Sequence, residues 1–483
     1  MRVLFLNPPH KFKLSRESRW PEFTKTETLY YPFWLAYAAG VAMEAGHEVL
    51  LIDAIARRWS FGETIKVINK FDPRLVVIET TTPSIISDMS FVDELKKTSN
   101  AKIVLVGTHV SALPDETLKK YRHVDFIARR EFDYTVRDLI ECLEKKKGVG
   151  SILGLSYRKG KRVVHNKERP FIQNPDELPF VSKVYKKFLN VRDYRYALAR
   201  HPMIQIWSSR GCPNYCTFCQ LPQSFDGRIF RPRSPENFVD ELEWIRNNMP
   251  EIREVFIEDD TFTIDKERVR KICDLIIERG LKITWSVNVR ADLEYGLMKK
   301  MKDAGCRMLI VGYESGNQQL LNNVKKGITL VQAERFTEAA KRAGLKIFGC
   351  FMIGLPSETR GTIYKTLNFA KRLNPDMAFF QQAVPFPGTE FYEWCKRNGY
   401  LTVKNWDEWL DKNGQLDFIV SYPQLSNREM KKLRDKIALE FVLSPRSIIQ
   451  MVLNNYHPYE ILRLMNVVKG YGRYLIKRDG SKK

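Results

Sequence analysis

The sequence predicts an α/β protein with two successive α/β units: a doubly wound amino-terminal domain, a partial (β/α)6 barrel, and then a helical carboxyl-terminal region. Short apolar, β-branched runs alternate with helical stretches over residues 1–147 at the spacing of βαβ units. The alternation resumes at Met203 and runs through six further units. Beyond residue 390 strand signals give way to helical periodicity. The expected organisation is therefore residues 1–147, a hairpin and linker at 148–200, the barrel at 201–390, and the helical region at 391–483.

In the first unit Val3 to Leu6 reads as a strand, stopped by Asn7-Pro8-Pro9. Helix Trp34 to Glu44, strand Glu48 to Ile52, helix Phe61 to Phe71, strand Leu75 to Glu79, helix Met89 to Lys97, strand Lys102 to Val106, strand Asp125 to Ala128 and helix Tyr134 to Lys146 follow. Ligands in such sheets bind at the carboxyl ends of the strands. Those ends carry Asn7-Pro8-Pro9, Asp53, Thr80 to Ser84, Gly107-Thr108-His109 and Arg129-Arg130-Glu131. The absence of GxGxxG argues against a dinucleotide site. Gly154 to Val164 reads as a hairpin turning at Lys159-Gly160, and Pro170 to Pro179 as a linker.

The barrel begins with strand Met203 to Ser208. Helices Pro235 to Asn248, Lys266 to Arg279, Tyr295 to Ala304, Leu330 to Ala343 and Thr359 to Leu373 alternate with strands Glu254 to Ile257, Lys282 to Val287, Met308 to Val311, Lys346 to Ile353 and Asp376 to Ala383. Six units suggest an open barrel with its site at the carboxyl face.

The first strand delivers Cys212, Cys216 and Cys219 at CxxxCxxC spacing. Three thiolates in one loop leave a four-iron cluster one ligand short, which opens one iron to a substrate or cofactor. Structural zinc wants four ligands, and His201 and Cys273, the nearest candidates, lie outside any paired pattern. Disulfides do not suit eight scattered cysteines without a secretory signal. Cys142, Cys273, Cys306, Cys350 and Cys395 fall singly in apolar or helical stretches and read as core.

Lysine and arginine total 79 against 57 acidic residues in 483, a formal charge of +22. Such a surface attracts anions such as nucleic acid or acidic lipid, and equally suits a lysine-rich soluble protein. The longest apolar run, Phe33 to Met43, is too short to cross a bilayer. A cytoplasmic protein is expected, with peripheral attachment at the inner membrane face as a variant of that expectation.

The cysteine loop resembles the radical S-adenosylmethionine (SAM) superfamily, in which the open iron of a [4Fe–4S] cluster chelates SAM. The resemblance implies one-electron cleavage of SAM to a 5′-deoxyadenosyl radical, with a one-electron donor such as ferredoxin or flavodoxin as partner. Other strand ends match residue by residue. In Glu258-Asp259-Asp260, Asp259 or Asp260 would accept from the methionyl amine. Arg290 would pair with the SAM carboxylate. Gly312-Tyr313-Glu314-Ser315-Gly316 resembles the GxESG element, with Glu314 and Ser315 reaching SAM. Gly349 to Pro356, with Gly349, Ile353 and Gly354, resembles the adenine shelf, although Ser357 replaces its later glycine. Gln382 to Thr389, with Pro385, resembles the segment that closes over it.

The first unit resembles the cobalamin-binding domain placed before many such barrels, most of all in the Gly107 to Pro114 turn with Gly107 and His109. It departs from that family in lacking DxHxxG: Asp53 is followed by Ala54-Ile55-Ala56-Arg57-Arg58. Any bound cobalamin then has no histidine from that position on cobalt, and the fold could persist without the cofactor.

Ser18-Arg19-Trp20-Pro21 and Tyr30 to Tyr37 resemble the hopanoid-cyclitol and calditol synthases, implying cyclitol formation on a lipid or polyol headgroup. The runner-up is a cobalamin-dependent radical methyltransferase or porphyrin-type cyclase. A third reading, an iron–sulfur sensor on nucleic acid, lacks a recognisable module, so no specific nucleic acid is expected. Apolar Ile448, Ile449, Val452, Leu453, Ile461, Leu462, Leu464, Met465 and Val468 precede basic Lys469, Arg473, Lys477, Arg478, Lys482 and Lys483, a pattern that suits a packing helix or a lipid surface.

Overall fold

The computed structural model describes residues 1–24 and 28–446. The first unit contains β1 (Arg2–Asn7), α1 (Phe33–Glu44), β2 (Glu48–Asp53), α2 (Phe61–Phe71), β3 (Leu75–Glu79), α3 (Ile85–Leu95), β4 (Lys102–Val106), α4 (Thr108–Ala112), α5 (Pro114–Lys120), β5 (Phe126–Ala128) and α6 (Asp133–Glu144). The hairpin adds β6 (Leu155–Lys159) and β7 (Arg162–His165), giving the sheet order β2-β1-β3-β4-β5-β6-β7. Strands β1 to β5 are parallel, and β6 and β7 join antiparallel. Val3 to Asn7 is buried throughout, as expected of a central parallel strand covered on both faces.

After α7 (Val181–Phe188) the second unit runs β8 (Met203–Ile206), β9 (Ser209–Arg210), α8 (Gln220–Ser224), β10 (Arg231–Pro232), α9 (Pro235–Asn248), β11 (Glu254–Ile257), α10 (Lys266–Glu278), β12 (Trp285–Val289), α11 (Tyr295–Asp303), β13 (Cys306–Glu314), α12 (Gln318–Asn323), α13 (Leu330–Arg342), β14 (Lys346–Ile353), α14 (Arg360–Leu373) and β15 (Met377–Gln382). Its six parallel strands lie in the order β15-β14-β13-β12-β11-β8, an open barrel. Two corrections concern extent. The helix expected from Met89 begins at Ile85, and the strand expected at Lys282 to Val287 lies at Trp285–Val289, where it meets Cys306 to Val311 of β13.

One apolar core spans both units. Helix α1 is buried from Phe33 to Ala42, because the sheet covers one side and the barrel the other. Trp34 packs against Trp207 at 4.8 Å and Phe225 at 4.9 Å between ring centroids. At Gly40 an added Cβ would come within 2.7 Å of Pro179, so the linker crosses the helix at a glycine.

Helices α15 (Glu390–Arg397) and α16 (Asn427–Val442) follow, the latter burying Met430, Leu433, Ile437 and Phe441. The apolar-then-basic stretch from Ile448 to Lys483 lies outside the described residues. Among the described residues no helix is long and apolar enough to cross a membrane.

Candidate active site

The cysteine loop leaves β8 at the carboxyl face of the barrel and is pinned from several sides. Strands β9 and β10 pair antiparallel across its base. Gly211 has φ +78°, and a Cβ there would lie 2.2 Å from the Ile229 carbonyl, so the loop can leave β9 only through glycine. Gln223 Nε2 donates to the carbonyls of Cys216 (3.4 Å), Thr217 (3.2 Å) and Cys219 (2.7 Å). From the first unit Asp133 binds Arg210 at 2.8 Å and Glu131 binds Arg231 at 2.7 Å, both pairs buried.

Burial, and next Asp260, push the Cys212 thiol up; the same two causes push Cys219 well above the ordinary range, with Cys216 and Cys212 adding to it. Thiols in such surroundings ionise on binding metal. Among the described residues no three His, Cys, Asp or Glu side chains converge on a single-ion site. A four-iron cubane is wider than one ion, and the three loop cysteines suit it in kind and number.

Beside the loop, the acid run after β11 divides its labour. Asp259 accepts the Ser208 amide at 2.7 Å, the Ser209 amide at 3.3 Å and both serine hydroxyls at 2.6 Å. With both oxygens engaged, it anchors the strand that delivers the cysteines, and the expected role toward a methionyl amine narrows to Asp260. Asp260 lies close enough to Cys212, Cys219 and Asp226 to raise all three, burial being the larger cause in each.

Arg19 enters this corner from the connection between β1 and α1. It binds Glu258 Oε1, donates to Asp260 Oδ1 at 2.9 Å, and donates to the carbonyls of Glu258 (3.4 Å) and Asp259 (3.2 Å). Burial works against its charge, but Glu258 and Asp260 outweigh it. Glu258 Oε2 remains buried without a hydrogen-bond partner, and Asp260 meets the Asp226 carboxyl. Three residues earlier, Arg16 is wholly buried in the first unit, paired with Asp88 and bonded to Asn7 Oδ1 at 2.5 Å and the Pro8 carbonyl at 3.0 Å. One short strap thus anchors in both units.

Glu314 pairs with Lys326 at 2.7 Å and sits at φ +61°, a strained conformation for a side chain with a Cβ. Arg290 donates to the carbonyls of Lys326 and Gly327, bracing the turn that carries that lysine. Ser315 turns away from this group: it is wholly buried, lies 3.3 Å from Thr366 Oγ1 and accepts the Asn317 amide, so it fastens β13 to α14. Gly349 faces the Tyr313 ring, where an added Cβ would sit at 3.2 Å, while its neighbour Cys350 retains surface inside the barrel; Cys350 is therefore a lining residue and not the core residue expected. Cys142, Cys273, Cys306 and Cys395 are buried. Ile353 is fully buried, Gly354 sits at φ +98° with its carbonyl bonded to the Tyr422 hydroxyl at 2.7 Å, and Pro385 is buried in the segment after β15.

At the carboxyl edge of the first sheet, Gly107 has φ +109° and a Cβ there would lie 2.5 Å from the Thr80 carbonyl. Thr80 Oγ1 is buried and unpartnered beside it, and Glu79 is taken up by Glu17. This cradle of small residues and an orphaned polar atom suits a large polar cofactor at the strand ends. His109 is turned away from a ligand role, 3.0 Å from Thr82 Oγ1 and edge-on to Trp406 at 5.2 Å, its pKa lowered to about 3 by burial. Asp53 accepts from Asn7 (2.9 Å), the Ile55 and Ala56 amides and the Tyr194 hydroxyl (3.1 Å), which ties the turn lacking the histidine to the linker. Arg16, Arg19 and Lys326 escaped sequence reasoning; the only signal was Arg19 within the Ser18 to Pro21 motif.

Residues 208–370 match the radical SAM superfamily and residues 23–140 the B12 binding domain. An uncharacterized methyltransferase of Pyrococcus horikoshii is 32% identical over 459 residues, covering 94% of this chain and 95% of the relative. The anaerobic magnesium-protoporphyrin IX monomethyl ester cyclase of Rubrivivax gelatinosus is 26% identical, over 81% of this chain and 70% of its own. Among solved structures, the radical S-adenosylmethionine methyltransferase TsrM of Kitasatospora setae, with cobalamin and a [4Fe–4S] cluster bound, superposes with a TM-score of 0.72 at 14% identity, over 98% of this chain and 99% of that one.

Proposed function

We propose, from the premise that the chain belongs to the radical SAM superfamily, in the branch whose barrel follows a B12-binding domain, that it is a cobalamin-dependent methyltransferase. Its cofactors are a [4Fe–4S] cluster, SAM and cobalamin, which when bound supply the one-electron cleavage of SAM and a carrier for its methyl group. Cys212, Cys216 and Cys219 hold the cluster. Asp260 and Arg290 border the space beside it and are offered to SAM, the Glu314–Lys326 pair lines the same space, and Asp259 and Ser315 hold the strands that position them. The Gly107 and Thr80 edge receives cobalamin. A ferredoxin- or flavodoxin-like carrier supplies the electron.

The observation that carries methyl transfer is the similarity to the Pyrococcus methyltransferase through both units at once. Cyclitol formation on a lipid headgroup, expected from Ser18 to Tyr37, is less well supported. That stretch holds Arg19, Tyr31 and Trp34, whose contacts join the two units, so its pattern follows from the architecture rather than from one substrate.

The test is anaerobic turnover with SAM deuterated in its methyl group and a one-electron reductant. Methyl transfer releases S-adenosylhomocysteine and places the label in a product. Formation of 5′-deoxyadenosine with no S-adenosylhomocysteine and no labelled product would instead favour ring closure.

A further inference from the structure

Strands β14 and β15 turn a set of largely aromatic side chains toward the inside of the barrel. Along β14 Ile347, Gly349 and Phe351 are buried or turned to the helical layer, whereas Lys346, Phe348 and Cys350 retain surface on the inward face. Met377, Phe379 and Gln381 do the same on β15. The linkers contribute Tyr30 and Tyr196, also half-buried. The lining is aromatic: Phe348 and Phe379 lie 6.2 Å apart at 27°, and Tyr196 stacks on Phe256 at 4.6 Å with Tyr30 edge-on at 6.0 Å.

Glu258, two residues after Phe256 on the line of β11, lies on the same face as the Tyr30–Tyr196–Phe256 group. After burial, it is among the charges that push up the Tyr30 and Tyr196 hydroxyls and the Cys350 thiol. Its side chain is 3% exposed; Oε1 takes Arg19, Oε2 makes no hydrogen bond of ordinary length, and the neutral Asn288 amide lies near enough to help hold the charge. A buried carboxylate oxygen left unsatisfied is destabilising, and a ligand donor would relieve it. The charges also leave room for a cation. Glu258 and Asp260 bring two negative charges against the one of Arg19, and the other lumen acid, Glu314, is closed by Lys326. Burial raises Glu258 to about 7 in spite of Arg19.

We propose that this aromatic face binds the acceptor substrate, a molecule with a flat, apolar body carrying an ammonium group that Glu258 Oε2 receives. The body lies among Tyr30, Tyr196, Phe348 and Phe379. Asp260, on the cysteine side of Arg19, remains available to SAM. Calling the ligand the methyl acceptor rests on the methyltransferase reading; the binding preference itself does not.

The test uses anaerobically reconstituted holoenzyme saturated with SAM, so that Asp260 is occupied, and titrates 2-phenylethylamine, 2-phenylethanol and 3-phenylpropionate by calorimetry. The amine should bind at least tenfold tighter than the alcohol or the acid. Glu258→Gln should erase that preference while SAM affinity, measured in the same preparations, stays within a few-fold. Should that variant not fold, Phe379→Leu and Tyr196→Leu should weaken amine and alcohol alike. Equal binding of amine and alcohol, no saturable binding of any probe, or a Glu258→Gln variant that loses SAM but keeps the amine would overturn the proposal. If the amine preference stands and S-adenosylhomocysteine never forms, methyl transfer falls and the binding site survives.

Discussion

Both sheets end in buried acids, and the two corners are neutralised differently. At the edge of the first sheet Glu79 meets Glu17, whose carboxyl is pushed well above the usual range by burial and then by Glu79, so the pair is stabilised by a shared proton. At the mouth of the barrel Asp260 meets Asp226, whose carboxyl is pushed well up by burial and then by Asp260, and in addition Glu258 and Asp260 share the guanidinium of Arg19. Arg16, three residues away, goes to Asp88 instead of the Glu17–Glu79 pair. A corner closed by a proton adjusts with little cost when its surroundings change. One built around a fixed cation, with Glu258 Oε2 still unpartnered, is organised to receive another positive group. The difference marks the barrel corner as the ligand-facing one and the Glu17–Glu79 corner as part of the frame.

The largest expected effect tests the barrel edge itself. Cys216→Ala should reduce bound iron from about four per chain to near zero after anaerobic reconstitution and abolish SAM cleavage, leaving the first unit folded by far-ultraviolet dichroism. Retention of wild-type iron would show that the loop does not hold the cluster. Next in size, Arg19→Ala leaves Glu258 and Asp260 without their cation. Breaking a buried pair by removing one partner costs on the order of 3 kcal/mol, visible as a lowered thermal midpoint. An unchanged midpoint would mean that this corner, like the other, closes on a proton.

Much of this frame is legible in the sequence because it follows local rules. The parallel strands read as short apolar runs, and Phe61–Phe71 and Pro235–Asn248 start at Ser60 and Ser234, both of which cap their helices. CxxxCxxC is local as well. What escaped depends on pairings across the chain. Arg19 and Glu258 are 239 residues apart. Adjacent Asp259 and Asp260 differ only in which way the chain turns after β11, and nothing in their spacing says that Ser208 and Ser209 occupy the first. Ser315 lies beyond a register shift of β13 between Gly312 and Glu314, so its direction is not set by simple alternation, whereas Cys350 follows the alternation of β14 and only its apolar neighbours make it read as core.

The smallest effect tests the proton-closed corner. Glu17 Oε1 accepts the Trp34 amide at 3.2 Å, a bond that the carbonyl of a glutamine can keep, while the amide side takes the place of the proton. Because the folded-state pKa of Glu17 lies above its unfolded value, the folded protein binds the extra proton, and stability must fall as pH rises from the unfolded value of about 4.5 toward the raised one. Glu17→Gln carries no titrating group at this position, so its stability relative to the wild type should grow between pH 5 and pH 8, by on the order of 1 kcal/mol. The measurement is the difference in thermal midpoint between the two proteins across that range. A difference that shrinks with rising pH would mean that Glu17 is ionised and paired with a cation, and the two corners would then be alike.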